Sequence, residues 1–132
     1  MADTELQAGA EVPPLSVTPD KYVPHRYAGA SGDFNPIHID PEFAKAVGLP
    51  NTILHGLYMM GLAARASTEA AGGDPGSLKR LSVQFRGMGA PETEIVVSGT
   101  VKSVDGDRAT IDTVAAQGDN QTIRNAEAEV QL

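Results

Sequence analysis

The chain has 132 residues with 10 Lys+Arg against 17 Asp+Glu, a formal net charge of -7, no Cys, no Trp and 41% hydrophobic residues. Its length suits one domain, residues 1–132, able to bury about two thirds of the surface its unfolded chain exposes, and its composition excludes the disordered, collagen-like and coiled-coil classes. The acidic balance argues against a nucleic-acid binder, which needs a basic patch, and the lack of cysteine removes disulfides, thiolate nucleophiles and Cys-ligated zinc.

The opening Met1-Ala-Asp-Thr-Glu-Leu-Gln has neither the basic nor the apolar region of a secretory signal. No run of about 20 apolar residues is present to span a bilayer, so the expectation is a soluble cytoplasmic protein with no membrane partner. Residues 1 to about 50 are rich in Pro and turn formers. A short edge strand is expected near Ala10 to Val17, weakened by Pro13 and Pro14. Asp40 caps a short helix with Pro41 in its first turn that runs to Gly48, and Phe43, Ala46 and Val47 are expected to pin it onto the core.

From His55 to Ala71 the chain reads as one helix, rich in Leu, Met and Ala and stopped by Gly72-Gly73-Asp74-Pro75. Its first half is apolar nearly all round (Leu57, Met59, Met60, Leu62), which predicts burial, while Arg65 and Glu69 mark its emergence into water. Strands follow at Leu78 to Phe85, Glu94 to Val104, Arg108 to Ala116 and Thr122 to Leu132, with turns at Asp105-Gly106 and Gly118-Asp119-Asn120. In the last strand Ala126, Ala128, Val130 and Leu132 share the inner face. Hairpin-linked strands covered by one helix give an α+β architecture, an antiparallel sheet wrapped around a central helix.

The stretch from Tyr27 to Asp40 carries the chemistry. Ser31-Gly32 and Asn35-Pro36 are turn formers, which places Asp33 and His38 on an irregular segment where a carboxylate and an imidazole meet as a general acid–base pair. Each residue also has a plainer reading. Asp33 suits an Asx-turn, Asp40 is a helix cap, His55 reads as a polar residue at a helix entrance, and His25 lies in a Pro-flanked surface stretch with no role. Asp33, His38 and Asp40 have no recognised metal-ligand spacing, so no metal is expected.

Tyr27-Ala28, Ser31-Gly32-Asp33-Phe34-Asn35-Pro36-Ile37-His38, Asp40 and Ala44 resemble the hydratase 2 motif of MaoC-like (R)-specific enoyl-thioester hydratases. Gly48-Leu-Pro, Ile53-Leu-His-Gly56 and Met59-Met60-Gly61 resemble the same family's approach to its central helix. Gly73-Asp74-Pro75-Gly76 ahead of Val83-Gln-Phe85-Arg is similar to the B subunit of actinobacterial (3R)-hydroxyacyl-ACP dehydratases.

The resemblance implies a single hotdog fold in which Asp33 and His38 activate a water. It also implies reversible (R)-specific hydration of trans-2-enoyl thioesters carried on CoA or acyl carrier protein. The backbone N–H of Gly56, at the positive end of the helix, is the expected oxyanion donor. Ser31 and Asn35 are supporting residues that hold the loop. No metal or redox cofactor is implied. The expected assembly is a homodimer, with a heterodimer with another hotdog subunit as its variant. The alternatives are a hotdog acyl-thioester thioesterase, or one subunit of a heterodimeric dehydratase. Against the family pattern, Pro24 is expected to shorten or displace the helix before Tyr27, and Gly61 lacks a hydroxyl that some relatives carry. The Gly87 to Pro91 link is short and predicts a shorter or more open acyl tunnel. Lys79, Arg80 and Arg86 are candidates for a basic rim, equally readable as solvated strand-end charges.

Overall fold

Five strands carry the fold: β1 (Glu11–Val17), β2 (Leu78–Phe85), β3 (Ile95–Asp105), β4 (Arg108–Gln117) and β5 (Asn120–Gln131), in a computed structural model that describes residues 6–132. The first five residues, most of the stretch read for a secretory signal, lie outside the described residues. All the pairings are antiparallel, in the order β1-β3-β4-β5-β2. Helices α1 (Val23–Ser31), α2 (Pro36–Ile39), α3 (Pro41–Ala46) and α4 (Gly56–Ala70) come before β2.

The hairpins form where the turn chemistry places them. Gly106 and Gly118 take φ of 61° and 58°, a left-handed backbone that glycine adopts without a Cβ penalty. Met59, Leu62, Ala63 and Ala66 are the buried apolar face of α4, and Met59, Leu62 and Ala66 share a core with Ile95, Val97, Ala115, Ile123 and Ala126. Alanines on the sheet let the helix lie close, while each fully buried Ile, Val or Met side chain contributes roughly 1.5–3 kcal/mol. Arg65 and Glu69 form the expected surface pair at 2.9 Å.

The structure departs from the sequence reading in several places, each with a local cause. Leu57 is 60% exposed, because the face of α4 that it occupies has no sheet above it. Leu132 is likewise exposed, lying just past the last paired residue, Gln131. Phe43, Ala46 and Val47 all point outward, and Ala44 is the residue that anchors α3, fully buried. Pro24 sits in the first turn of α1, which runs for nine residues, where a proline removes only an N–H that has no helical partner. Pro13 and Pro14 are absorbed by an irregularity in the β1–β3 register between Val12 and Leu15, so β1 still pairs as an edge strand. No helix among the described residues is long and apolar enough to cross a membrane.

Candidate active site

Helix α1 ends at Gly32, whose φ of 79° reverses the chain into the irregular run that holds Asp33. The side chains of that run tie it down one after another. The Ser31 hydroxyl donates to the Tyr27 carbonyl at 2.8 Å and accepts from the Asp33 N–H at 3.2 Å. Asp33 Oδ1 accepts from the Asn35 N–H, and Asn35 Oδ1 accepts from the Ile37 N–H, each at 3.2 Å. Asn35 thereby caps α2, a single turn that carries His38. His38 thus sits on a helical turn, contrary to the fully irregular segment expected for it. Asp40 caps α3 as read, accepting from the Glu42 and Phe43 N–H groups at 3.0 and 3.2 Å.

This chain of caps brings Asp33 and His38 together. His38 is buried and its Nε2 faces Asp33 Oδ2 at 3.8 Å, too long for a direct hydrogen bond and short enough for one water to bridge. On the other side of the ring, Nδ1 lies 2.8 Å from the Ile53 carbonyl oxygen. A carbonyl only accepts, so Nδ1 carries a proton and Nε2 is the nitrogen turned toward Asp33. The Asp33 carboxylate is about half exposed.

His55 is the residue that sequence reasoning passed over. It is 3% exposed, its Nε2–H donates to the Asp33 carbonyl at 3.0 Å, and its ring stacks on His38 with centroids 3.8 Å apart and planes 20° apart. Tyr27 packs against it at a tilt of 49° with centroids 4.8 Å apart, and Tyr58 meets Tyr27 edge-on. Burial, opposed by Arg26 and Arg65, pushes the Tyr58 hydroxyl above its ordinary value, so it stays neutral. A signal was available: His55 occupies the N-cap of α4 without capping it, and at that position Ser, Thr, Asp or Asn is the usual choice.

Gly56 opens α4, and its N–H has no hydrogen-bond partner among the described residues. A Cβ there would come within 3.2 Å of the Phe85 ring. Gly56, Asp33, Ser31, Tyr27, His55, Leu57 and Phe85 line one cavity of about 270 Å³. A second cavity, of about 660 Å³, lies between Pro50–Ile53 and the Met88–Glu92 link, with Lys21, Tyr22 and His25 on its wall. His25, given no role from sequence, therefore faces a cavity, which is also lined by Ile53, the residue whose carbonyl meets His38.

Asp33, His38 and His55 each offer one metal-ligating atom within 4.8 Å of one another. The two imidazoles lie face to face, so their in-plane lone pairs run side by side and do not converge on one ion. As for the basic rim, Arg80 is drawn to Glu127 and Glu129 at 3.9 and 3.7 Å, and Arg86 is held by Gln84. Lys79 is exposed.

The profile of the family described as MaoC like domain matches residues 3–123. The chain is 44% identical over 86 residues to fatty acid synthase subunit beta of Schizosaccharomyces pombe, covering 63% of this chain and 4% of that one. It is 50% identical over 56 residues to peroxisomal enoyl-CoA hydratase 2 of Arabidopsis thaliana, covering 42% of this chain and 18% of that one. The chain therefore spans less than a fifth of either relative. Among solved structures, it superposes on the (R)-hydratase from A. caviae involved in PHA biosynthesis with a TM-score of 0.87 and 27% identity, covering 99% of both chains. The ChsH1-ChsH2 complex from Mycobacterium tuberculosis gives a TM-score of 0.85 and 25% identity, covering 95% of this chain and 97% of that one. The shared architecture is the hotdog fold expected from the sequence.

Proposed function

The chain belongs to the MaoC like domain family, and on that premise we propose that it catalyses reversible (R)-specific hydration of trans-2-enoyl thioesters to (3R)-hydroxyacyl thioesters in fatty-acid metabolism. The observation that carries this reading is the 3.8 Å approach of His38 Nε2 to Asp33 Oδ2, with Asp33 and Gly56 lining one cavity.

A water held in that gap gives up one proton to His38 Nε2 as its oxygen bonds to Cβ. The Cα=Cβ pair of electrons moves toward the thioester carbonyl, and the charge that develops on its oxygen is met by the Gly56 N–H. Such a donor is worth about 3 kcal/mol in the barrier. His38 passes the water's proton across to the Asp33 carboxylate, which delivers it to Cα, so both side chains end as they began. In dehydration the same steps run backward. Ser31 and Asn35 hold the loop through backbone contacts and do no chemistry. The reading includes a cytoplasmic enzyme that needs no metal or redox cofactor, an acyl chain carried on CoA or acyl carrier protein, and assembly as a homodimer or with a second hotdog subunit. The short link from Gly87 to Pro91 goes with a preference for short acyl chains; strong activity on long-chain enoyl substrates alone would contradict it.

The test follows loss of the conjugated enoyl absorbance on adding crotonyl-CoA or its carrier-protein equivalent, with the chirality of the product checked. Intact protein is expected to give the (3R)-alcohol, and His38→Ala to lose about 10²–10⁴-fold in rate. No hydration with either carrier sinks the proposal, and thiol release from saturated acyl-CoA would favour a thioesterase in its place.

A further inference from the structure

Hydration as proposed uses Asp33, His38 and the Gly56 amide, and His55 adjoins all three. It precedes Gly56 in the chain, donates to the Asp33 carbonyl at 3.0 Å, and lies face to face with the His38 ring at 3.8 Å. Stability does not account for an imidazole here. The ring is almost fully buried, its Nδ1 has no hydrogen-bond partner among the described residues, and it fails to cap α4. A buried ring nitrogen without a partner destabilises a fold.

Resting on the hydration reading, we infer that His55 is a positioning residue that sets the separation between Asp33 and His38. Each side of that gap is referenced to the same ring. Asp33 lies in an irregular run, and the His55 Nε2–H bond fixes its main chain from the helix side. The Ile53 carbonyl fixes the rotation of the His38 ring, while the His55 face blocks its tilt. Tyr27 also packs against His55, with centroids 4.8 Å apart. A nucleophilic water needs its two holders placed to within a fraction of an ångström, and an error of about 1 Å costs on the order of 10²-fold in rate.

Three variants separate the contacts. His55→Phe keeps the ring face and removes the donor, and it also removes the orphaned nitrogen, so it is expected to fold. His55→Gln keeps an N–H near the Nε2 position and removes the ring. His55→Leu removes both. For each, kcat and KM with crotonyl-CoA, thermal unfolding and the ¹⁵N shifts of the His38 ring are measured. The expected result for His55→Leu is a kcat about 10²-fold lower with KM changed less than about threefold. His55→Phe and His55→Gln are expected to fall between it and the parent. The ¹⁵N shifts of the His38 ring are expected to change on losing His55. Parental kcat per folded molecule in His55→Leu, or in His55→Phe should His55→Leu not fold, overturns the inference. So does activity lost only in step with thermal stability. If the parent itself hydrates nothing, the hydration reading falls alone; the His38 ring signals then decide, a change on losing His55 upholding the positioning role and unchanged signals ending it.

Discussion

Asp33 uses its two carboxylate oxygens differently: Oδ1 accepts the Asn35 N–H at 3.2 Å, and Oδ2 faces His38 at 3.8 Å. Turn-former and catalyst are therefore the same residue, and Asp33→Asn separates the two jobs. The amide oxygen still closes the Asx-turn, so the unfolding temperature is expected to stay within a few degrees, while hydration falls by about 10²–10⁴-fold. A large loss of stability with intact turnover would return Asp33 to a structural part. Gly56→Ala asks the matching question of the oxyanion donor. Its Cβ would press on the Phe85 ring at 3.2 Å, in the cavity that Gly56 lines. The expected drop in kcat is about 10-fold, below the 10²–10³-fold cost of deleting such a donor, with no loss of stability because alanine is the better helix former. Unchanged kcat would leave Gly56 as a packing residue. That Asp33 and His38 meet was legible from the turn formers between them. The resemblance of the Tyr27–Asp40 stretch to a known family supplied their roles and that of Gly56 as expectations. The Ile53 carbonyl was not legible, because any residue presents one. His55 was not, because its worth lies in contacts with a loop 22 positions away.

Between elements, Gln117 and Asn120 fasten the link that connects β2 to β3, Asn120 Nδ2 donating to the Met88 carbonyl at 2.9 Å. Gln117, at the end of β4, accepts from the Ala90 N–H at 2.8 Å and donates to the Ala90 and Thr93 carbonyls at 2.8 and 3.2 Å. The link in turn accepts the Leu54 N–H at the Gly89 carbonyl, at 2.8 Å, one residue before His55. Gln117→Ala is therefore expected to cost about 1–3 kcal/mol, to speed amide exchange at Leu54 and Ala90, and to lower hydration several-fold. Exchange at Leu54 that stays at the parental rate would show that the link does not brace the helix start. Strands, turns and the central helix were readable because period-2 alternation, Asp-Gly and Gly-Asp turns and an apolar helical run are local signals. The directions of Leu57, Phe43 and Val47 were not, since periodicity identifies an apolar face without saying whether the fold has anything to lay against it. Helix α1 was obscured by Pro24, which a first turn accommodates and a helix interior would not.

At the scale of the molecule, net charge and local cations oppose each other over a phosphate-bearing substrate. The chain carries -7, and Arg26, Arg65, Arg80 and Lys102 each face a carboxylate, so much of the positive charge is already answered. The summed field therefore repels an anion at long range. Raising ionic strength from about 0.01 to 0.15 M shortens the screening length from about 30 to about 8 Å and removes that repulsion while leaving close contacts in place. For crotonyl-CoA, kcat/KM is expected to rise by about two- to threefold over this range. Crotonyl-pantetheine, which lacks the phosphates, is expected to show no change. A fall in kcat/KM for the CoA thioester alone would mean that Lys79 and Arg86, or Lys21 on the wall of the larger cavity, outweigh the whole-molecule field. The basic rim would then be a real docking feature, and charge reversal at Lys79 and Arg86 should abolish the salt dependence while leaving turnover of crotonyl-pantetheine untouched.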